Sequence, residues 1–239
     1  MKLPQNALVT TLVGSLLLSG LSAADNAEKP AAQPQGSVTY FDAAGSNTAA
    51  KADGSTATFV NSDDPAVKDI AQYGFKMIER IGGMMISEVN QELATREIAQ
   101  AVGIMHLKSL ELPKPVAGKP TVTAIKRTSL MLRDPRNAPD AADAAALDKI
   151  HTQLMADESP DKMLVQKVER AGQPVEWRVY RPIAASQSCL ACHGDPATFR
   201  PGVKAALDLL YPEDKAVEYG AKEWRGVIRV SLTAPTTAK

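Results

Sequence analysis

Cys189-Leu190-Ala191-Cys192-His193 contains the only two cysteines among the 239 residues of this chain. Two cysteines separated by two residues and followed at once by a histidine form the pattern of a c-type haem attachment site. Each thiol adds to one haem vinyl group to form a thioether, and the histidine then lies beneath the iron as an axial ligand. The stretch therefore predicts one covalently attached haem c, with Cys189 and Cys192 as the thioether residues and His193 as the proximal iron ligand.

Other uses of this cysteine pair fit the chain less well. A structural zinc site needs four protein ligands, usually Cys or His, but only His106 and His151 remain, and both are distant in sequence. A thioredoxin-like redox pair would open a helix in a βαβ unit, whereas this pair lies late in the chain after a hairpin pattern. A structural disulfide would leave His193 unexplained.

The N-terminus predicts export from the cytoplasm. Lys2 precedes an apolar run from Ala7 to Leu18, and the small residues Ser22-Ala23-Ala24 follow it. This is the pattern of a secretory signal peptide, here residues 1–24, and it predicts a periplasmic protein, since haem c is attached outside the bacterial cytoplasm. The run falls short of the ~20 apolar residues of a membrane span. We therefore expect no membrane insertion after cleavage, with an uncleaved anchor as the alternative.

Composition and charge suggest the domain organisation and exclude one class of partner. The chain has 27 basic and 27 acidic residues, so there is no electrostatic case for nucleic-acid binding. Residues 25–64 are rich in Ala, Gly, Ser, Thr, Asn and Pro, which predicts a flexible linker. Residues 65–239 are then a single haem c-binding domain.

Hydrophobic periodicity in this domain predicts helices first and an antiparallel sheet afterwards. A helix should begin at Asp63-Asp64-Pro65, Gly82-Gly83 should kink or end it, and a helical pattern resumes from Met84 to Leu112. Further strands are predicted at 121–125, 126–133, 163–169, 175–181 and 224–232, and further helices at 141–155 and 203–210. This order predicts an α+β fold.

A haem held by His193 has a second axial position, and the second helix offers two ligands for it. At 100° per residue, Met105 lies on the apolar stripe of that helix, and His106 lies about 100° further round, at its edge. Either residue can supply the sixth ligand.

Several short motifs in one order carry a family resemblance. They are Arg127-Thr128-Ser129, Arg133 to Asp140, Tyr180-Arg181-Pro182, Cys189 to Gly194, Tyr211 to Ala216 and Arg225-Gly226. From about Ile70 to Leu232 the chain resembles a family of periplasmic haem c domains, long described as a domain of unknown function, which occur alone or as the extracytoplasmic sensor of histidine kinases.

The resemblance implies a PAS-like antiparallel sheet with long N-terminal helices packed on it and the haem held near the C-terminal part. It also implies His193 as proximal ligand and, in some members, a cysteine of the N-terminal helix as distal ligand. This chain has no spare cysteine. Counting back from Arg127 puts Met105 near the family's cysteine position, so Met105 is the preferred distal ligand and His106 the alternative. Methionine ligation would favour ferrous iron.

The basic residues of the matching motifs are candidates for holding the haem propionates. They are Arg127, Arg133, Arg136 and Arg225, and guanidinium groups bind carboxylates bidentately. Each of them could instead be an exposed strand or loop charge.

Three functional classes follow from these features. The preferred one is a periplasmic monohaem c-type cytochrome that senses redox state or a small ligand such as a gas and signals to a partner protein. The alternative is an electron-transfer cytochrome with a redox partner. A peroxidase-like haem enzyme ranks third, because the sequence shows no catalytic constellation, and we expect no enzymatic activity.

Overall fold

The structure of this α+β protein, a computed structural model, is organised around one antiparallel sheet. It describes residues 48–50, 54–107 and 111–235, and the side chains of 54–105 and 111–235. The strands are β1 (Thr48–Ala50), β2 (Thr56–Phe59), β3 (Thr121–Thr128), β4 (Leu164–Glu169), β5 (Glu176–Ala184) and β6 (Trp224–Thr233). The helices are α1 (Lys68–Thr95), α2 (Ile98–Leu107), α3 (Ala141–Met155), α4 (Leu190–His193) and α5 (Val203–Leu210). The strand order is β1-β2-β4-β5-β6-β3.

The hairpin of β4 and β5 has the alternating pattern that the sequence predicted. Leu164 pairs with Tyr180, and Val165 pairs with Val179. Because successive strand residues point to opposite faces, the two pairs belong to different cores: Val165 and Val179 pack with α1, whereas Leu164 and Tyr180 pack with α3. The sheet is therefore covered by a helix on each face.

Helix α1 covers the first of these faces. Its buried residues are Ile70, Ala71, Gly74 and Ile78, and a Cβ on Gly74 would lie only 2.6 Å from the side chain of Val179. The helix begins at Lys68, later than predicted. Asp64 forms a turn instead, because its carbonyl oxygen accepts hydrogen bonds from the amides of residues 67 and 68, both at 2.8 Å.

Helix α1 does not end at Gly82-Gly83, which was one of the two outcomes predicted there, but continues to Thr95. A glycine costs about 1 kcal/mol in a helix interior, but Ile81 and Met85, on either side of the pair, both pack against the same core cluster. The chain breaks at residues 96–97, before α2. The pattern that predicted a helix to Leu112 runs into residues 108–110, which lie outside the described residues.

Helix α3 covers the other face and has the predicted boundaries. Asp140 and Asp143 form a capping box, in which each side chain accepts a hydrogen bond from the other's backbone N–H. Ala146, Leu147 and Ile150 are fully buried in the cluster with Leu164 and Tyr180.

The sheet extends into the segment that composition assigned to a linker. Strand β2 pairs with β4 from Thr56 to Phe59, and Ala57 is buried. A small residue suits this position because it packs beneath Ala142 and Val168, and such short polar strands carry little hydrophobic periodicity. Residues 1–24, predicted as a signal peptide, lie outside the described residues. Within the described part of the chain, no helix has the length and apolarity needed to cross a bilayer.

Candidate functional site

The predicted site residues converge on one cavity of about 980 Å³, bounded by α1, α2, β3 and the cysteine motif. Among the predicted residues, those with described side chains all line it: Met105, Arg127, Arg133, Arg136, Cys189, Cys192, His193 and Arg225. The side chain of His106 lies outside the described residues. The fold thus brings together residues as distant in sequence as Met105 and Arg225.

The cysteine motif has a defined local structure. A 3₁₀ turn over Gln187–Cys189 leads directly into the single turn of α4. Gly194 ends this helix with its backbone pressed on the preceding turn, since a Cβ there would lie 2.8 Å from the carbonyl oxygen of Leu190. Both cysteines are free thiols, and burial raises the pKa of the Cys192 thiol.

His193 is oriented by a hydrogen bond from its ring. Its Nδ1–H donates to the carbonyl oxygen of Ala216 at 2.7 Å, and the ring meets Tyr219 edge to face at 6.3 Å. Burial, reinforced by the charges of Arg133 and Arg225, lowers the pKa of His193 well below its ordinary value. The imidazole is therefore neutral, and with the proton on Nδ1, the lone pair of Nε2 is available to a metal.

Residues 214–219, which we call the strap, hold the motif in place. The amide of Glu218 donates to the carbonyl oxygen of Gly194 and that of Tyr219 to the carbonyl oxygen of His193, both at 2.9 Å. Arg133 ties the two segments together: its Nη2 donates to the carbonyl oxygens of Cys192 and Ala216, and its Nε donates to Asp214 at 2.9 Å. Sequence reasoning missed the strap, although Asp214 and Ala216 lie within one of the motifs that carried the resemblance.

The four predicted arginines divide into two pairs. Arg133 is bound to Asp214, and Arg136 is bound to Asp134 at 2.6 Å with an exposed side chain. Both of these guanidinium groups already have a carboxylate partner from the chain. Their charge is thereby neutralised locally.

Arg127 and Arg225 differ, because within the described part of the chain neither forms an ion pair with a carboxylate. Arg225 donates to the carbonyl oxygen of Met131 at 3.1 Å and lies 5.1 Å from the ring centre of Tyr219. Burial lowers the pKa of both guanidinium groups by more than nearby groups, among them Asp134 for Arg127 and Asp214 for Arg225, raise it. Gly226 allows this placement, since its φ is +141° and a Cβ there would lie 2.3 Å from the carbonyl oxygen of Thr128.

The helical wall of the cavity is apolar apart from a few carboxylates. Its members from α1 and α2 include Gly82, Met85, Val89, Val102 and Met105. Sequence reasoning did not single out Met85. Helical spacing in the sequence does indicate this residue, because Met85 lies three residues after Gly82 on the inward face of α1.

These residues fit a haem c. The cavity volume falls within the roughly 300–1,000 Å³ range of cofactor sites. An apolar helical wall suits the faces of a porphyrin, and two half-buried cations without a carboxylate partner in the described residues suit its propionates. Thr128 lies beside Arg127 on the cavity wall, and its Oγ1 atom is buried. This atom has no hydrogen-bond partner in the part of the chain that the structure describes. Thr128 and the arginines thus leave polar groups for a bound molecule to satisfy.

Comparison with known proteins gives one family and one solved structure. The family model described as Tll0287-like matches residues 46–233. A structure described as the crystal structure of the cyanobacterial heme-protein Tll0287 is 24% identical, and the match covers 48% of this chain and 62% of that chain with a TM-score of 0.34. This chain therefore spans less than two thirds of that protein's length. A search of curated proteins gives no match.

Proposed function

Because this chain belongs to the Tll0287-like family, we propose that it is a haem-binding protein that carries one covalent haem c and acts as a periplasmic redox or small-ligand sensor. The single observation that carries the haem proposal is the convergence of Cys189, Cys192 and His193 on a cavity that is also lined by Arg127 and Arg225, which form no ion pair with a carboxylate of the described residues. The family match also confirms the resemblance indicated by the motif series. A PAS-like architecture remains part of the proposal.

Each residue of the site has a role in this proposal. Cys189 and Cys192 attach the haem, and His193 offers Nε2 to the iron, held in position by Ala216. Arg127 and Arg225 bind the propionates, since guanidinium and carboxylate pair bidentately. Arg133 and Arg136 have chain carboxylates as partners, so Arg133 positions the motif through the strap. The bound haem would supply reversible one-electron chemistry and, with an open sixth position, binding of a diatomic gas.

The distal side of the site decides between sensing and electron transfer. A sixth ligand from the helical wall is expected, with Met105 preferred from the sequence and His106 as the alternative. An electron-transfer cytochrome is the second candidate function, and the thioether side chains on this wall favour it, because methionine ligation supports outer-sphere transfer. Carbon monoxide separates the two: rapid binding to the ferrous protein supports a sensor with a labile ligand, whereas inertness supports a carrier.

Neither function needs an enzymatic step, and both need a partner protein. The sensor would relay its state to a signalling protein, and the carrier would exchange electrons with a redox partner. The signal-peptide pattern of residues 1–24 supports the periplasmic location.

The haem proposal is tested by producing the full chain in cells that mature c-type cytochromes. We expect a coloured protein that keeps its haem after acid-acetone extraction and gives a pyridine haemochrome spectrum for two thioether bonds. Cys189→Ala with Cys192→Ala should abolish covalent haem, whereas Ser188→Ala, beside the motif, should keep it. A colourless wild-type protein, or one that loses its haem on extraction, would contradict the proposal.

A further inference from the structure

Resting on the proposed haem, we infer that Met85, on helix α1, supplies the sulfur ligand on the distal side. Nothing in the sequence motifs points to this residue. The inference comes from the path of α1 and from the way in which Met85 is held.

The inward face of α1 contacts the sheet in its first part and the cavity in its later part. Ile78 is 1% exposed and packs on the sheet, whereas Gly82, Met85, Val89 and Leu93 line the cavity. At 100° per residue, all of these positions fall within about 80° of one another. One continuous stripe therefore covers the sheet as far as Ile78 and the cavity beyond it.

Met85 is the only member of the cavity part of this stripe with a side chain that can bind haem iron. A thioether is a common axial ligand of haem c. Gly82 lies one turn before it and carries no side chain, so the helix backbone can approach a flat ligand at this point. Met84, the adjacent methionine, is 56% exposed and is not in the stripe.

Anchoring also distinguishes Met85 from Met105. Met85 is half-buried and packs against the large core cluster of α1 and the sheet. Met105 also lines the cavity, but it lies on the ten-residue helix α2, two residues before its end, and belongs to none of the core clusters among the described residues. A ligand held by packing is better preorganised for the iron.

The test uses three matched variants of the haem-loaded full chain: Met85→Leu, Met105→Leu and Met84→Leu. Leucine keeps a similar apolar volume and removes the sulfur. The readout is the weak long-wavelength charge-transfer band of ferric, methionine-ligated haem, recorded together with the haem content from the pyridine haemochrome. We expect loss of the band only in Met85→Leu, with unchanged haem content, and a lower reduction potential for that variant.

Persistence of the band in Met85→Leu, or its loss in Met105→Leu, would overturn the inference. So would a wild-type protein with covalent haem and no such band, although the haem proposal itself would then stand. A wild-type protein without covalent haem defeats both proposals, and the haemochrome assay distinguishes that case. If Met85→Leu accumulates poorly, Met85→Gln, whose side chain has a similar length, repeats the measurement.

Discussion

The two faces of the central sheet satisfy their charged groups in different ways. On β6, Ile228 lines the cavity, and the next residue, Arg229, contacts Asp143 of α3 on the other face at 3.1 Å. We call the group around Asp143 the ion network; its members are Lys126, Asp140, Asp143, Glu176, Arg178 and Arg229. The network sets three basic residues against three acidic ones, and Arg170 adds a further cation at its edge by pairing with Glu176.

Nearly all of the network's polar atoms are paired by the chain itself. Asp143 is fully buried and accepts from Lys126 at 2.9 Å and from Arg178 at 3.2 Å. Arg178 also binds Asp140 at 2.7 Å. Among the network's side chains, which all belong to the described residues, the Nε of Arg229 is the one buried atom without a partner.

The cavity face shows the opposite arrangement. Arg127 and Arg225 have no carboxylate partner within the described residues, and burial lowers the pKa of both. The ion network is paired by the chain itself, whereas under the proposed function a bound anion would supply the partners of Arg127 and Arg225.

The largest expected effect is that of Asp143→Asn on stability. The substitution keeps the shape of the side chain but leaves Lys126, Arg178 and Arg229 without their shared buried carboxylate. Breaking a buried ion pair from one side costs about 3–5 kcal/mol. We expect the free energy of unfolding, measured with urea and followed by circular dichroism, to fall by this amount.

Asp208→Asn is the matched control, because Asp208 is 62% exposed and pairs with Lys204 one turn away on α5. Such a pair contributes about 0.5 kcal/mol or less. Equal losses for the two variants would show that the network stabilises the fold no more than a surface pair does.

Much of the fold follows from local signals in the sequence. The helix at 141–155 has strong formers and a side-chain cap, and the strands around 164–184 alternate regularly, so local preference and burial agree there. Of the two outcomes predicted at Gly82-Gly83, a kink or an end of α1, the end was wrong because packing on the sheet outweighs two glycines. Strands β1 and β2 carry too few large apolar residues to stand out from a linker.

The site is predictable only as a set of residue types. The motif and spacing identify Cys189, Cys192 and His193, and the family resemblance points to the arginines. Which arginine is already paired depends on contacts such as that between Arg133 and Asp214, 81 residues apart. Only the fold shows that contact, and although helical spacing places Met85 on the inward face of α1, only the fold shows that this part of the face lines the cavity.

A second prediction concerns the pH dependence of the ion network. Burial alone would raise the pKa of Glu176, but hydrogen bonds from Arg178, Ser231 and Arg170 outweigh it and lower the pKa from 4.5 to about 2. A carboxyl whose pKa is lowered by folding stabilises the protein above its ordinary pKa, and this contribution disappears as the pH falls through the lowered value.

We therefore expect Glu176 to contribute ~1–2 kcal/mol above about pH 5, a figure reduced for its partial exposure to solvent, and to lose this contribution as the pH falls through about 4.5 to 2. Urea unfolding between pH 6 and pH 2, compared for the wild type and Glu176→Gln, measures it, and the difference between the two proteins should shrink toward acid pH. A constant difference over that range would mean that Glu176 acts through packing and not through its charge.

The smallest expected effect is that of Arg127→Gln on the free energy of unfolding. It tests the difference between the two faces of the sheet most sharply, because the sign of the change should depend on whether haem is bound. In the haem-free double variant Cys189→Ala with Cys192→Ala, Arg127→Gln removes a half-buried cation that has no carboxylate partner among the described residues, so we expect a gain of about 0.5–1 kcal/mol in the free energy of unfolding. In the haem-loaded protein the same substitution removes a propionate partner, and stability should fall. Arg133→Gln should destabilise both forms, since Asp214 and the carbonyl oxygens of Cys192 and Ala216 lose their donor whether or not haem is bound. If Arg127→Gln destabilised the haem-free chain as Arg133→Gln does, the charge of Arg127 would be satisfied by the fold itself, and the cavity would not differ from the opposite face of the sheet.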